Sequence, residues 1–420
     1  MNFLRQQFTF IMLCIMSFFL FADQNLLAPN MTQIANEFGF SPLERDTKLG
    51  GEISFVFWML GGFVTLFIGH FTDRVNRIKL LTYIILIGEI PCLLTGFTQT
   101  YQQFFWMRAL TGIGIGGAIP LVYSLLGDLF PAERRSAATG TLGLITGLGI
   151  AVGQLLAGAI GPEMGWKLPF IIVSIPNFIL VIIFWMFSDE PVRGSQDSGK
   201  LTESSRFDLK AYLELFKIKT NVLVFFQGIF GTVPWSVFFT FLIDFLSQEK
   251  NYSVMDATFI VTIIGACAIF GGFIGGHIGN WLYNKKVGYV PVLCAVTTTV
   301  GVIPTLYLLN IPAVADGASG IGTAPIIYGI LSGLCIAMTA PNIKAVLINV
   351  NSPETRGSIF ALYNLADDLG RGFGPVVISL LIVLFQRSLA LSIAAGFWLI
   401  CGVFLVLMIF TYPKDQLKIR

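Results

Sequence analysis

The sequence predicts an all-α integral membrane protein of twelve transmembrane helices in two pseudo-symmetric six-helix bundles. Three observations predict it: an apolar composition, a dozen apolar runs, and one long polar stretch at mid-chain. Of 420 residues, 55% are hydrophobic and 14% aromatic, while 12% are charged, about half the charged share of a soluble domain. A spanning helix needs about 20 residues plus a connection, so the chain has room for the spans and none for a large soluble domain. A water-soluble enzyme is excluded. The net charge of +2, without a dense basic cluster, excludes a nucleic-acid partner. Cys14, Cys92, Cys267, Cys294, Cys335 and Cys401 all lie in apolar runs without C-x-x-C spacing; they read as small hydrophobes, with neither disulfides nor zinc.

The apolar runs cover 8–36, 51–70, 79–98, 101–128, 137–160, 168–187, 219–246, 255–283, 288–309, 323–349, 357–385 and 388–411. The first is a retained helix rather than a signal peptide, because no small-residue cleavage site follows it and Asp23-Gln24-Asn25 leads into more helix-compatible sequence. Orientation follows from counting Lys and Arg by loop. With the N-terminus inside, 18 of the 26 positive charges fall in inner segments and 5 in outer loops (Arg45, Lys48, Lys167, Lys250, Arg387), leaving Arg108, Lys344 and Arg371 within spans. A multi-pass protein of the cell (inner or plasma) membrane is expected, with both termini cytoplasmic.

After the sixth run comes a Ser-, Gly- and charge-rich stretch, which divides the chain into a bundle at 1–188, a cytoplasmic linker at 189–217 and a bundle at 218–420. Two repeated bundles need such a linker, and internal similarity supports duplication. Gly69-His70-Phe71-Thr72-Asp73 after the second span matches Gly276-His277-Ile278-Gly279-Asn280 after the eighth, and Glu133-Arg134-Arg135 after the fourth matches Glu354-Thr355-Arg356 after the tenth.

The loop Gly69-His70-Phe71-Thr72-Asp73-Arg74-Val75-Asn76-Arg77 resembles the signature between spans two and three of the major facilitator superfamily. Arg108 followed by Gly112, Gly114 and Gly116 in span four, and the Gly143, Gly147, Gly149, Gly153, Gly158 series ending at Gly161-Pro162 in span five, resemble two further motifs of that superfamily. Within it, Asp73-Arg74-Val75-Asn76-Arg77, Arg108-Ala109-Leu110-Thr111-Gly112-Ile113-Gly114 and Glu190-Pro191-Val192-Arg193-Gly194 are similar to the Spinster branch of lipid transporters. The resemblance implies the major facilitator fold and a lysophospholipid or sphingolipid class of solute. It also implies that Asp23 is the membrane aspartate and Arg108 the coupling arginine. One position departs: Ile115 stands where that branch carries a glutamate, which leaves open rerouted coupling or a different solute.

Ionisable groups near the bilayer centre cost about 2.5–3.5 kcal/mol each on insertion scales and therefore face a partner or a wet cavity. Asp23 lies about 22 Å from the inner end of its helix and Arg108 at about 20 Å, taking 1.5 Å per residue. The two are expected to meet, the carboxylate taking a proton and releasing the arginine to an anionic group; the alternative is a permanent structural ion pair. In span eleven, Asp367, Asp368 and Arg371 are also near mid-membrane, and either acid can pair with the arginine three or four residues on, leaving one in excess or a neutralised packing turn. Asn25, Tyr123, Asn342 and Asn364 are further candidates for lining a substrate site, or interhelical hydrogen-bond glue. Glu89, mid-span three, reads equally as a buried hydrogen bond. Lys344 is close enough to the inner end to snorkel. At the cytoplasmic face Asp73 is expected to meet the positive end of span eleven, while Arg74, Arg77 and Arg134 pair with Asp128 or Glu133 and latch the bundles, or serve as topology charges only.

These features predict a secondary transporter moving an amphiphilic, anionic or zwitterionic lipid-like solute by alternating access, coupled to protons. The alternative is a proton-coupled carrier of a small organic anion, sugar or drug. The expected partners are membrane lipids, the solute and protons, and the chain is expected to act as a monomer. No cofactor or metal is expected, and without a G-x-x-x-x-G-K-S/T run direct ATP drive is not. An intramembrane enzyme using Asp23 with Asp367 or Asp368 lacks any H-E-x-x-H or G-x-S-x-G support.

Overall fold

The computed structural model describes residues 3–72, 75–192, 214–315, 320–352 and 355–418. Among them every regular element is helical, as required where lipid offers no partner to backbone N–H and C=O groups. Ten helical stretches are long and apolar enough to cross a membrane. The helices Ile53–Thr72 and Arg356–Leu384, the latter carrying the acidic turn of span eleven, complete the twelve.

Two compact units emerge. The first comprises Met1–Ser41 and Val56–Phe207, the second Pro42–Phe55 and Asp208–Arg420. The short segment 42–55, from the N-terminal half of the sequence, thus packs with the C-terminal helices.

In the first unit, span one is helical over Phe3–Ala22 and then tightens into 3-10 turns at Asp23–Asn25 and Ala28–Asn30 before resuming at Met31–Glu37. Sequence alone suggested one uninterrupted helix; Pro29 has no N–H for the Asn25 carbonyl, so the regular ladder cannot continue there. The interruption puts Asp23 on irregular backbone. Spans three to six follow as Arg77–Thr95, Tyr101–Leu129, Ala132–Met164 and Lys167–Phe187. Their starts are encoded locally: Asn76 Oδ1 accepts from Lys79 N–H at 2.9 Å, and Thr100 with Gln103 forms a reciprocal capping box.

Glycines set the spacing of this unit. A Cβ on Gly112 or Gly116 would run into the backbone of Phe57 or Gly61 in span two, and one on Gly114 into Gly88 of span three. Gly149 and Gly153 of span five stand in the same relation to Phe18 and Ala22 of span one, whereas Gly143 faces open space. Without a hydrophobic drive between helices in lipid, such close backbone contact is a main source of cohesion. Around it lies an apolar core that includes Leu13, Leu81, Ile115, Leu121, Leu125 and Phe184.

The second unit contains Lys219–Glu249, Val254–Lys285, Tyr289–Leu309, a tenth span in two pieces, Arg356–Leu384 and Arg387–Leu417. The tenth span divides into Thr323–Ala337 and Thr339–Val350, because Pro341 cannot donate to the Ala337 carbonyl. Spans seven and eleven are stitched together by Thr232 Oγ1 donating to the Asp367 carbonyl at 3.1 Å and Ser236 Oγ to the Arg371 carbonyl at 2.7 Å. Segment 42–55 docks beside them: Gly50 abuts Phe241, Gly51 abuts Ser379, and the Phe55 and Phe373 rings meet edge-on at 5.2 Å.

Candidate functional site

The mid-membrane charges of the first unit converge on the broken part of span one. Asp23 is fully buried and Arg108 is 2% exposed. The guanidinium lies between the rings of Phe57 and Phe170, at 5.3 and 5.2 Å from their centroids, a favourable face for a desolvated cation. The two residues meet in an unexpected way. Arg108 Nη2 donates to the backbone carbonyl of Asp23 at 3.2 Å; the Asp23 carboxylate has the Cys92 thiol as a hydrogen-bonding neighbour but no hydrogen bond from Arg108, whose Nε and Nη1 have no partner among the described residues. A locked salt bridge would use those atoms. Left unused, they are available to a proton, a water or an anionic group.

A third charge shares the compartment. Glu89 is fully buried, its Oε1 accepts from Asn177 Nδ2 at 2.6 Å, and a carboxylate oxygen of Glu89, one of Asp23 and the Cys92 thiol lie within 4.8 Å of one another. The Gly88–Gly114 contact beside it brings span three hard against span four. Sequence depth had marked Glu89 as near mid-span, but not that it faces Asp23. Ile115 packs in the apolar core, 2% exposed.

In the second unit Asp368 and Arg371 form a loose pair at 3.9 Å. Asp367 is held on the Gly228 side of span eleven, with Tyr363 as a hydrogen-bonding neighbour and its Oδ1 otherwise without a partner. Asn364 and Lys344 are exposed, as is Tyr123 of the first unit at 48%. Asn342 is buried, and its amide donates to the carbonyls of Gly275 and Met338 at 2.9 and 2.8 Å, which occupies it in joining spans eight and ten. Asn25 is half-buried with its amide nitrogen unpartnered.

At the end of span three, Arg77 is 2% exposed. It pairs with Asp128 at 2.5 Å and Glu190 at 3.0 Å, and donates to Ser124 Oγ and the Pro191 carbonyl, each at 3.0 Å. It therefore ties spans three and four to the end of span six. Arg134 is exposed; its neighbour Arg135 instead donates to the Gly127 and Phe130 carbonyls, both at 3.0 Å. Asp73, expected against the positive end of span eleven, and Arg74, expected beside Asp128 or Glu133, lie outside the described residues.

A closed ring of charges that sequence reasoning did not find lies within the second unit. Arg45 contacts Asp46 at 3.0 Å and Asp244 at 3.1 Å, while Arg387 contacts Asp46 at 3.2 Å and Asp244 at 2.8 Å. All four side chains are at most 10% exposed. Burial alone would make Arg45 easier to deprotonate, but the Asp244 and Asp46 carboxylates outweigh it and hold the guanidinium above its ordinary pKa. Arg45 and Arg387 had counted only as outer-loop charges. The single available signal was the Arg45-Asp46 dipeptide, whose partners lie about 200 and 340 residues away.

Twelve apolar spans in two helical units, with partly unsatisfied charges buried in their interiors, define a multi-pass secondary transporter rather than an enzyme. The chain belongs to the Major Facilitator Superfamily, whose family model matches residues 13–327. It is 24% identical over 403 residues to the cis,cis-muconate transport protein of Acinetobacter baylyi, covering 92% of this chain and 90% of that one. With Protein spinster of Drosophila melanogaster it shares 21% identity over 382 residues, 89% of this chain and 61% of the fly protein. A crystal structure of a bacterial homologue of the human lysosomal transporter Spinster matches with a TM-score of 0.84 over 99% of both chains at 18% identity.

Proposed function

We propose that this protein carries an amphiphilic solute with an anionic or zwitterionic head, of the lysophospholipid or sphingolipid class, by alternating access coupled to protons, with both termini cytoplasmic. The observation that carries the reading is the state of Arg108: a buried cation clamped between two phenylalanine rings, with Nε and Nη1 lacking a partner among the described residues and no hydrogen bond to the Asp23 carboxylate. Such a guanidinium suits a fork-shaped contact with a phosphate or carboxylate head. Protonation of Asp23 would free it for that role, and deprotonation would compete for it. Asp367, Asp368 and Arg371 are the second unit's own candidate polar contacts.

A second reading, transport of a small organic anion, is favoured by Ile115, which supplies no acid in span four, and by the muconate transport protein among the relatives. The test is uptake of labelled lysophospholipid into proteoliposomes under an imposed pH gradient, competed by muconate and by unlabelled lipid. Lipid should compete and the dicarboxylate should not; the converse supports the second reading. Asp23→Asn should abolish the pH-driven component, and an unchanged response would remove Asp23 from the coupling role.

A further inference from the structure

We propose that Glu89 and Asp23 form a carboxyl pair that shares one proton opposite Arg108, so that Glu89 is a coupling residue of the first unit. The inference rests on the transport reading above for its consequence, but on charge and geometry for its substance. Two acids and one base lie in one buried compartment: Asp23 and Glu89 are fully buried and Arg108 is 2% exposed. An ionised carboxylate without compensation is expensive in such a place, and one guanidinium compensates one of them. The other must carry a proton. With oxygens of the two acids no more than 4.8 Å apart, ionisation of either one raises the cost of ionising the other, and the pair titrates as a unit.

Among the described residues, the surrounding elements bring no other charge against the pair. Span one contributes Asp23, and its remaining titratable groups are Arg5 and Cys14 before the break and Glu37 at its far end, where it pairs with Lys167 at 2.5 Å. Span three contributes Glu89 and Cys92. Span four contributes Arg108. Span six faces the pair with the amide of Asn177 and the hydroxyl of Ser174, which lies beside the Cys92 thiol. Span five meets the Asp23 segment with Gly153 against Ala22, and carries its own titratable groups only near its two ends, Glu133, Arg134, Arg135 and Glu163.

Geometry also distinguishes the two acids. Glu89 has one oxygen engaged by the Asn177 amide and its Oε2 without a partner among the described residues, while Asp23 has only the weak Cys92 thiol donor beside it. When an anionic head takes Arg108, neither acid retains its counter-charge, and the pair is driven to accept a second proton. When the head leaves, that proton is released. The proton count therefore follows occupancy of Arg108, a coupling that needs no acid at Ile115.

The test uses the full-length protein in phosphatidylethanolamine–phosphatidylglycerol vesicles, comparing wild type with Glu89→Gln and Asp23→Asn. Gln retains the oxygen that Asn177 donates to, so the fold is expected to survive. Infrared difference spectra at neutral pH should show a protonated-carboxyl band that is lost in both variants, since either substitution leaves one acid matched to Arg108. A band that persists in Asp23→Asn overturns the proposal, because Glu89 would then be neutral on its own account. Absence of the band from wild type, or its removal by zinc or manganese binding to Asp23, Glu89 and Cys92, overturns it too. In uptake assays Glu89→Gln should lose about tenfold or more of the pH-driven component. If wild-type uptake responds to pH and Glu89→Gln responds equally, the shared proton is refuted and the transport reading stands. If the band behaves as stated but no solute is driven by pH, the pair stands and the transport reading fails.

Discussion

Neutralising Asp244 should destabilise the second unit far more than a single surface charge would. The ring made by Arg45, Asp46, Asp244 and Arg387 carries two positive and two negative charges with contacts of 2.8–3.2 Å. At an effective dielectric constant of about 20, one 2.8 Å contact is worth ~6 kcal/mol of gross Coulomb energy, most of it offset by desolvation. Asp244→Asn preserves shape but removes one anion from both arginines and leaves a buried net charge. Breaking a buried pair in this way costs about 3–5 kcal/mol, which for a unit of this size is a fall in melting temperature of about 10 °C. The assay is thermal unfolding of the detergent-solubilised protein, with Asp244→Asn compared against Arg387→Gln and the double variant. The double variant restores neutrality, leaving Arg45 with Asp46, and should be more stable than the sum of the two single losses predicts. Strictly additive losses, or a single-variant shift no larger than that of Lys48→Gln at the half-buried Lys48–Glu44 pair, would refute the coupled ring.

Two other outcomes follow from packing and from guanidinium geometry. Gly114→Leu should sharply reduce folded protein, because even a Cβ there strikes the Gly88 backbone, whereas Gly143→Leu, in open space, should be recovered at wild-type levels; size-exclusion profiles compare them, and equal recovery would remove the glycine contact as a spacing device. Arg77→Lys should cost about 1–3 kcal/mol in the same unfolding assay, since an ammonium cannot serve Asp128, Glu190, Ser124 and the Pro191 carbonyl from one position; an unchanged midpoint would show that charge alone suffices.

Much of the architecture was legible in the order of residues. Apolar runs of bilayer length force helices, because a chain in lipid must satisfy its own backbone, and the spans and the family motifs are local patterns, whereas most of the expected 189–217 linker lies outside the described residues. The depth of Asp23 and Arg108 could likewise be counted along a helix of known rise. What one dimension does not carry is which face a mid-span residue presents and how closely two backbones approach. Glu89 and Ile115 illustrate it: both are single letters in apolar runs, and only the Gly88–Gly114 contact, together with the unwinding of span one before Pro29, decides that the acid joins Asp23 while the isoleucine enters the core. The same holds for the Arg45–Asp46–Asp244–Arg387 ring, whose members become neighbours only once segment 42–55 has docked on helices hundreds of residues away. Helix content follows from local rules of hydrogen bonding and hydropathy, whereas charge pairing depends on three-dimensional distance, and that exists only after the helices have packed.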